Sequence, residues 1–211
     1  MSNDKFVIED TILKEVNKRL RKVEIPEGVT SIAECVFENC KSLQSIVIPN
    51  SVTSIGEKAF NGCTSLKSVV IPEGVTSIAQ FTFYRCTSLE SVVIPDGVTT
   101  IEERLFHHCT SLKSVVIPDS VTSIKKSAFR DCTSLESIII PKSVTFIEKQ
   151  VFELCTSLKS IVIPESVTSI KKCAFDGCTS LKTINFLGTR NQWKELKLKL
   201  DGNIIVKCSD E

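Results

Sequence analysis

The prolines of this 211-residue chain recur at a single spacing. All seven lie 23 residues apart, at Pro26, Pro49, Pro72, Pro95, Pro118, Pro141 and Pro164. The residues between them repeat as well, and a fixed period of about 20–50 residues indicates stacked structural repeats. We therefore predict a solenoid, in which neighbouring units bury an apolar face that no single unit can bury alone.

The repeat that follows Pro49 shows what one unit is expected to form. A turn leads into a short extended piece over residues 52–55, and residues 56–61 are predicted to form a short helical turn whose Phe60 points inward. Residues 66–71 have apolar side chains at L-x-x-V-x-I spacing, which is typical of a strand. Stacked strands of this kind would form a parallel sheet with a spacing of about 4.8 Å.

Seven of the ten cysteines occupy one column of the repeat. Strict periodicity is unlike a disulfide framework, and free cysteine is among the most buried residue types, so we interpret them as reduced core thiols. Cys35, Cys173 and Cys208 lie outside the column. The column consists of Cys40, Cys63, Cys86, Cys109, Cys132, Cys155 and Cys178.

The first 19 residues precede the repeats and are expected to cap the array, because the terminal units of solenoids need a cover. Two alternatives are open for them. Residues 6–9 and 11–16 form two short strands, or residues 11–21 form an amphipathic helix.

Residues 187–211 are predicted to cap the other end. Thr189 is a suitable N-cap for a helix over residues 190–200, stopped by Asp201-Gly202, and residues 203–208 read as a last strand. Trp193, the only tryptophan, is expected to cover the last core layer.

The motif L-x-x-[IV]-x-I-P-x-[GS]-V-T-x-I-x-x-x-x-F-x-x-C-x-S, repeated over residues 20–186, resembles the BspA-type leucine-rich repeat. Residues 6–10, and the segment from Gly188 to Cys208, are similar to modules that flank such arrays. The resemblance implies an α/β leucine-rich-repeat solenoid with a parallel sheet on one face and short helical turns on the other. It further implies a surface or secreted protein that binds other macromolecules and has no catalytic residues.

Composition excludes several classes of partner. Lys and Arg number 26 against 25 Asp and Glu, for a net charge of +1, which gives no electrostatic reason to expect nucleic acid. No apolar run approaches the roughly 20 residues that span a bilayer, so no membrane insertion is expected. The N-terminus lacks a leader pattern, so the chain as written is expected to be cytoplasmic. The resemblance favours a surface or secreted protein if a leader was removed.

No constellation of catalytic residues is recognisable, and we expect neither an enzyme nor a bound cofactor. The two histidines, His107 and His108, are adjacent and should point in different directions. Together with Cys109, a core residue, they do not supply a tetrahedral metal site.

One face of the predicted sheet carries an unbroken aliphatic column, and exposed apolar patches often mark interaction sites. Beside it run a serine column and a charged column whose sign alternates from Lys67 to Lys159. The alternative is that β-branched residues merely suit strands there. The proposed contact residues are Lys67, Ser68, Val70, Glu90, Ser91, Val93, Lys113, Ser114, Val116, Glu136, Ser137 and Ile139.

A second patch lies on the opposite rim of two adjacent repeats, where other repeats carry Lys, Glu, Asn or Gly. Aromatic and arginine side chains together are typical of binding hot spots, although drift between repeats would also place them there. The patch contains Phe81, Tyr84, Arg85, Arg104, His107 and His108.

These features favour a non-enzymatic binding module that engages a protein or peptide through the exposed sheet face. The alternative is a self-associating structural or adhesion protein that forms a homo-oligomer through the same face or through its ends.

Overall fold

A computed structural model describes residues 5–198, 200 and 204–210. The chain winds through about eight turns of a solenoid, and each turn, here called a coil, contributes two short strands. Ribbon A is the series β3 (Lys22–Glu24), β5 (Ser45–Val47), β7 (Ser68–Val69), β9 (Ser91–Val93), β11 (Ser114–Val116), β13 (Ser137–Ile139), β15 (Ser160–Ile163), β17 (Thr183–Phe186) and β18 (Ile205–Lys207). Ribbon B is the series β1 (Phe6–Glu9), β2 (Ile12–Val16), β4 (Ser31–Ile32), β6 (Ser54–Ile55), β8 (Ser77–Ile78), β10 (Thr100–Ile101), β12 (Ser123–Ile124), β14 (Phe146–Ile147) and β16 (Ser169–Ile170).

Strands of successive repeats pair in parallel and in a constant register. Ser91 faces Ser114, for example, and Val93 faces Val116, exactly one repeat apart in each case. Each ribbon is divided into two hydrogen-bonded sheets, with breaks between β11 and β13 in ribbon A and between β8 and β10 in ribbon B. The parallel solenoid is therefore as predicted from the 23-residue period.

The N-terminal segment forms strands rather than a helix. β1 and β2 pair antiparallel, and β2 pairs parallel with β4, so that this hairpin extends ribbon B. Leu13 is fully buried, whereas the edge residues Val7 and Ile8 are 44% and 40% exposed. Of the two alternatives open from the sequence, the strand pair is the one observed.

A column of phenylalanines forms the centre of the core. The rings of Phe37, Phe60, Phe83, Phe106, Phe129, Phe152 and Phe175 stack with centroids 5.0–5.7 Å apart and nearly parallel planes. Phe106 lies 5.6 Å from Phe83 and 5.4 Å from Phe129 and has no exposed surface. The coil spacing thus places the rings in a continuous aromatic stack.

The predicted short helical turns are not found, and the residues concerned form consecutive turns instead. Alternate amides donate to the next coil: Lys58 N to Gln80 O at 3.2 Å, and Phe60 N to Thr82 O at 3.0 Å. Lys58 has a positive φ of 55°, and non-glycine residues at its position in every repeat share that geometry. A helix would use these amides within one segment, whereas here they bind one coil to the next.

The only α-helix among the described residues is α1, Arg190–Glu195. It begins as predicted, with Thr189 and Gln192 forming a capping box, but ends five residues before the predicted end at Leu200. Trp193 lies on Phe186 with ring centroids 5.4 Å apart, which places it against the core as expected. The predicted stop at Asp201-Gly202 lies outside the described residues.

The seven column cysteines are buried and are free thiols. From Cys63 onward each column thiol donates to the carbonyl of a phenylalanine 26 residues earlier. Cys109 Sγ to Phe83 O, at 3.1 Å, is one example. These thiols therefore fill space and also pair buried carbonyl groups of the preceding coil. The sequence predicted that the thiols fill space in the core, but not that they pair with carbonyl groups.

Candidate functional surfaces

The aliphatic column of ribbon A is exposed to solvent, because side chains alternate between the two faces of a strand. In β9, Val92 is 3% exposed and faces the core, whereas Val93 is 58% exposed. We call the outward column the stripe. Its members are Val47, Val70, Val93, Val116, Ile139 and Val162, exposed by 57–78% except for the half-buried Val162.

The stripe has polar ends and polar flanks. Glu24 precedes it and Asn185 and Lys207 follow it in the same register. The outward serines from Ser68 to Ser137 lie beside it and are exposed. Exposed valines rimmed by polar side chains are a common arrangement at interaction sites.

The charged column next to the serines forms ion pairs between neighbouring coils. Lys113 Nζ lies 3.0 Å from Glu90 Oε2, and Lys159 Nζ lies 2.7 Å from Glu136 Oε2. All four side chains are at least half exposed, so each pair contributes only about 0–1 kcal/mol to stability. Their larger effect is to leave the face beside the stripe nearly neutral.

The structure brings the residues of the rim patch together. Tyr84 meets Phe81 and His107 edge to face, with centroids 5.9 and 5.1 Å apart. Arg104 lies 5.4 Å from the centre of the Phe81 ring and Arg85 lies 5.1 Å from that of Tyr84.

Two residues that the sequence interpretation left out of the patch also contact it. Lys58 lies 5.6 Å from the centre of the Phe81 ring, and Asp131 is bound to His108. The 23-residue register was the signal that would have found them, because Lys58 is one repeat before Phe81 and Asp131 is one repeat after His108.

The two histidines have different neighbours, as their adjacency predicts. His107 packs on Tyr84, whereas His108 Nδ1 contacts the Asp131 carboxylate. Cys109 lies in the core and donates to Phe83. No group of three or more His, Cys, Asp or Glu side chains is placed to hold a metal ion in the described part of the chain.

We expect His107 to stay uncharged well below neutral pH. Burial, followed by the nearby Arg130 and Arg104 charges, lowers its pKa from 6.5 to about 4. Because the unfolded chain then binds a proton that the folded protein does not, the contribution of His107 to stability falls as the pH falls from 6.5 toward 4. An NMR titration of the two histidine rings should show one midpoint near 4, and a midpoint near 6.5 for His107 would contradict this packing.

No helix among the described residues has the length and apolar character needed to cross a membrane.

Comparison with solved structures supports the same fold. A leucine-rich repeat protein of Treponema pallidum is 30% identical, with a TM-score of 0.77, over 92% of this chain and 91% of its own. A leucine-rich repeat protein of Bacteroides ovatus is 28% identical with a TM-score of 0.68, over 90% of this chain and 54% of that one. This chain therefore spans about half the length of the Bacteroides protein. The pneumococcal vaccine antigen PcpA, at 16% identity and a TM-score of 0.53, shares the fold over 90% of this chain and 63% of its own.

The sequence finds no match among curated proteins. The profile of the BspA type leucine rich repeat region, by contrast, matches it in six copies within residues 7–133 and 76–196. These matches cover most of the chain and include the columns that form both ribbons and the core. The chain belongs to the family of BspA-type leucine-rich repeat proteins.

Proposed function

We propose that the protein is a binding module that holds a protein or peptide against ribbon A. The observation that carries this proposal is the stripe: four consecutive coils present Val70, Val93, Val116 and Ile139, each more than half exposed, in line on one face. A soluble chain gains nothing in stability from so many exposed β-branched residues in line, whereas a partner that covers them gains their apolar contact area.

The size and charge of the surface indicate the kind of partner. From Val47 to Val162 the stripe crosses five strand spacings, roughly 24 Å at about 4.8 Å each, which an extended segment of about seven residues would span. Since Glu90 and Glu136 are paired with Lys113 and Lys159, a partner with apolar anchors and little net charge is favoured over a strongly charged one.

The rim patch is a second candidate surface, supported by its built geometry of stacked aromatic rings and arginines. It lies on the turns between ribbon B and ribbon A, so one partner segment on the stripe would not also cover it. We assign it a separate, accessory contact.

We expect Val93→Lys with Val116→Lys to abolish binding of peptides selected against the protein from a random display library. Two lysines at the centre of the stripe would bury unpaired charge beneath an apolar anchor, which should weaken binding at least about a hundredfold. Binding is measured by isothermal titration of the selected peptides.

The matched control is Thr99→Lys with Thr122→Lys, which places the same charges in the same two repeats but beside ribbon B, where both threonines are exposed. Circular dichroism should be unchanged in both double variants. Equal affinity of the stripe variant and the control would exclude ribbon A as the binding face.

A further inference from the structure

One column of residues on the turns beside the rim patch changes the sign of its charge along the solenoid. We call this column the rim ladder. In the first four repeats its members are three glutamates and one glutamine, whereas in the last three repeats every member is a lysine. All of them are exposed or half-buried. The rim ladder consists of Glu34, Glu57, Gln80, Glu103, Lys126, Lys149 and Lys172.

Backbone hydrogen bonds keep the rim ladder in register from one coil to the next. The residue that follows each member donates its amide to the carbonyl of the member in the next coil. Phe81 N donates to Glu103 O in this way, and Arg104 N donates to Lys126 O, each at 3.1 Å. The first of these bonds crosses the break in ribbon B between β8 and β10. The ladder is therefore continuous even where the sheet is interrupted.

Two charged members of the rim ladder have no ion partner in their own chain. Glu57 is paired with the lysine that follows it, and Glu103 lies 3.9 Å from Lys126. Glu34 and Lys149, by contrast, are exposed and form no ion pair with any other described residue. They lie symmetrically about the rim patch, because Glu34 is two coils before its first coil and Lys149 is two coils after its second.

We propose that a second copy of the chain docks on the rim patch in antiparallel orientation and forms a symmetric dimer. A two-fold axis that lies in the interface, between the two coils of the patch, reverses the order of the coils but leaves each column opposite itself. This inference rests on the accessory contact proposed for the rim patch and names its occupant. It does not depend on the stripe, which stays open on both copies.

The antiparallel arrangement brings opposite charges together on both sides of the axis. Glu34 faces Lys149 of the second copy. Glu57 faces its Lys126, and by symmetry each of these contacts occurs twice. If the ladders met in parallel, glutamates would face glutamates and lysines would face lysines. Charge complementarity therefore selects the antiparallel orientation.

The rim patch supplies the centre of the contact. Phe81 faces Arg104 of the second copy, which adds an arginine to a ring that already has one at 5.4 Å in its own chain. Tyr84 faces His107 of the second copy, the residue type that it meets edge to face within one chain. Aromatic and arginine side chains at the centre with charged side chains around them are the usual composition of a protein interface.

The contact is short and mostly polar. From the coil of Glu34 to that of Lys149 it crosses five spacings, roughly 24 Å at about 4.8 Å each. A contact of this length and polarity belongs to the small, weak class of interfaces. We therefore expect a dissociation constant in the micromolar range that rises with salt concentration.

Sedimentation equilibrium over a wide concentration range, at low and at high salt, tests the proposal. We expect a monomer–dimer equilibrium without larger species, because the contact closes on itself. Glu34→Lys and Lys149→Glu each replace an attraction by a repulsion at two places, and each should raise the dissociation constant about tenfold. The matched control is Glu73→Lys, the same reversal at an exposed residue on the turns between ribbon A and ribbon B, which should leave it unchanged.

The double variant E34K/K149E should recover the original dissociation constant, because the charges are exchanged but remain opposite. A mixture of the two single variants should also form dimers, since every contact between the two different chains again joins opposite charges. Circular dichroism should be the same for all these variants. A monomer at every concentration would overturn the proposal, and so would a dimer that resists both charge reversals or that the double variant fails to restore.

Peptide binding separates this inference from the function proposed for the stripe. Val93→Lys with Val116→Lys should leave the dimer intact, and Glu34→Lys should leave the affinity for the selected peptides unchanged. A monomer that still binds those peptides would overturn the dimer alone. A dimer that binds them no differently after the stripe is changed would overturn the stripe alone.

Discussion

Replacing Phe106 by Ala is expected to lower the free energy of unfolding by about 3–5 kcal/mol. The ring is fully buried between Phe83 and Phe129, and its removal interrupts the aromatic stack at its middle. Neighbouring coils cannot close the gap easily, because the ribbons fix their spacing on both sides. Urea unfolding followed by circular dichroism measures the loss.

The control is Phe81→Ala, the same chemical change at a half-buried rim residue. It should cost about 1 kcal/mol, since the Phe81 ring lies on the surface of the turns and is only half-buried. Similar losses in the two variants would mean that the aromatic stack is not the main source of core stability.

The 23-residue period was sufficient to predict the parallel solenoid, because each repeated column has one environment in every coil. Apolar positions such as Leu66, Val69 and Ile71 are buried as the pattern indicates, and Val70 between them is exposed. The family resemblance added no element to this prediction, but it gave the repeat its name and implied a binding role.

The turns beside the phenylalanines were predicted wrongly for a physical reason. An apolar residue such as Phe60 within a charged segment fits a helical turn and a chain of tight turns equally well. The difference lies in hydrogen bonds such as Lys58 N to Gln80 O, which join residues 22 positions apart. The sequence pattern within one segment cannot predict hydrogen bonds between residues so far apart. The same limit hid the thiol–carbonyl bonds, which exist only after the coils stack.

The sequence was sufficient to predict which columns of the repeat form the candidate surfaces. Alternation of side chains along a strand placed Val93 outward, and the structure confirms that position. The 23-residue spacing predicted that Glu90 and Lys113 would be neighbours, and they are paired. That a partner binds there stays a prediction. Partner specificity depends on the positions that differ between repeats, and the repeat pattern does not determine those positions.

The protein is expected to unfold when the pH is raised from 9 toward 11 under reducing conditions. Burial raises the pKa of the column thiols above the ordinary value of 9.0, and it reaches about 12 for Cys86 and Cys178. Burial also raises the pKa of Cys109, Cys132 and Cys155 well above 9.0. In the unfolded chain the same thiols ionise near their ordinary pKa.

The direction of the effect follows from proton binding. Above pH 9 the unfolded state has released thiol protons that the folded state retains, so stability falls as the pH rises. The slope for each thiol rises toward about 1.4 kcal/mol per pH unit as the unfolded thiols ionise above pH 9, so the seven together approach at most roughly 10 kcal/mol per unit. A domain of this kind has about 5–15 kcal/mol of stability, so unfolding should be complete within about two pH units.

The combined variant Cys86→Ala, Cys109→Ala and Cys132→Ala separates the thiol effect from the titration of lysine and tyrosine. The variant keeps every lysine and the tyrosine of the original protein, so only the thiol contribution differs. It should be less stable at pH 7, because Phe60, Phe83 and Phe106 lose the thiols that donate to their carbonyls. Its stability should nevertheless fall more gently above pH 9, with about four sevenths of the thiol contribution to the slope, since four column thiols remain. Urea unfolding at pH 8, 9 and 10 measures both slopes. Equal slopes would show that the thiols do not keep their protons in the fold, whereas a shallower slope in the less stable variant would assign alkaline sensitivity to the cysteine column.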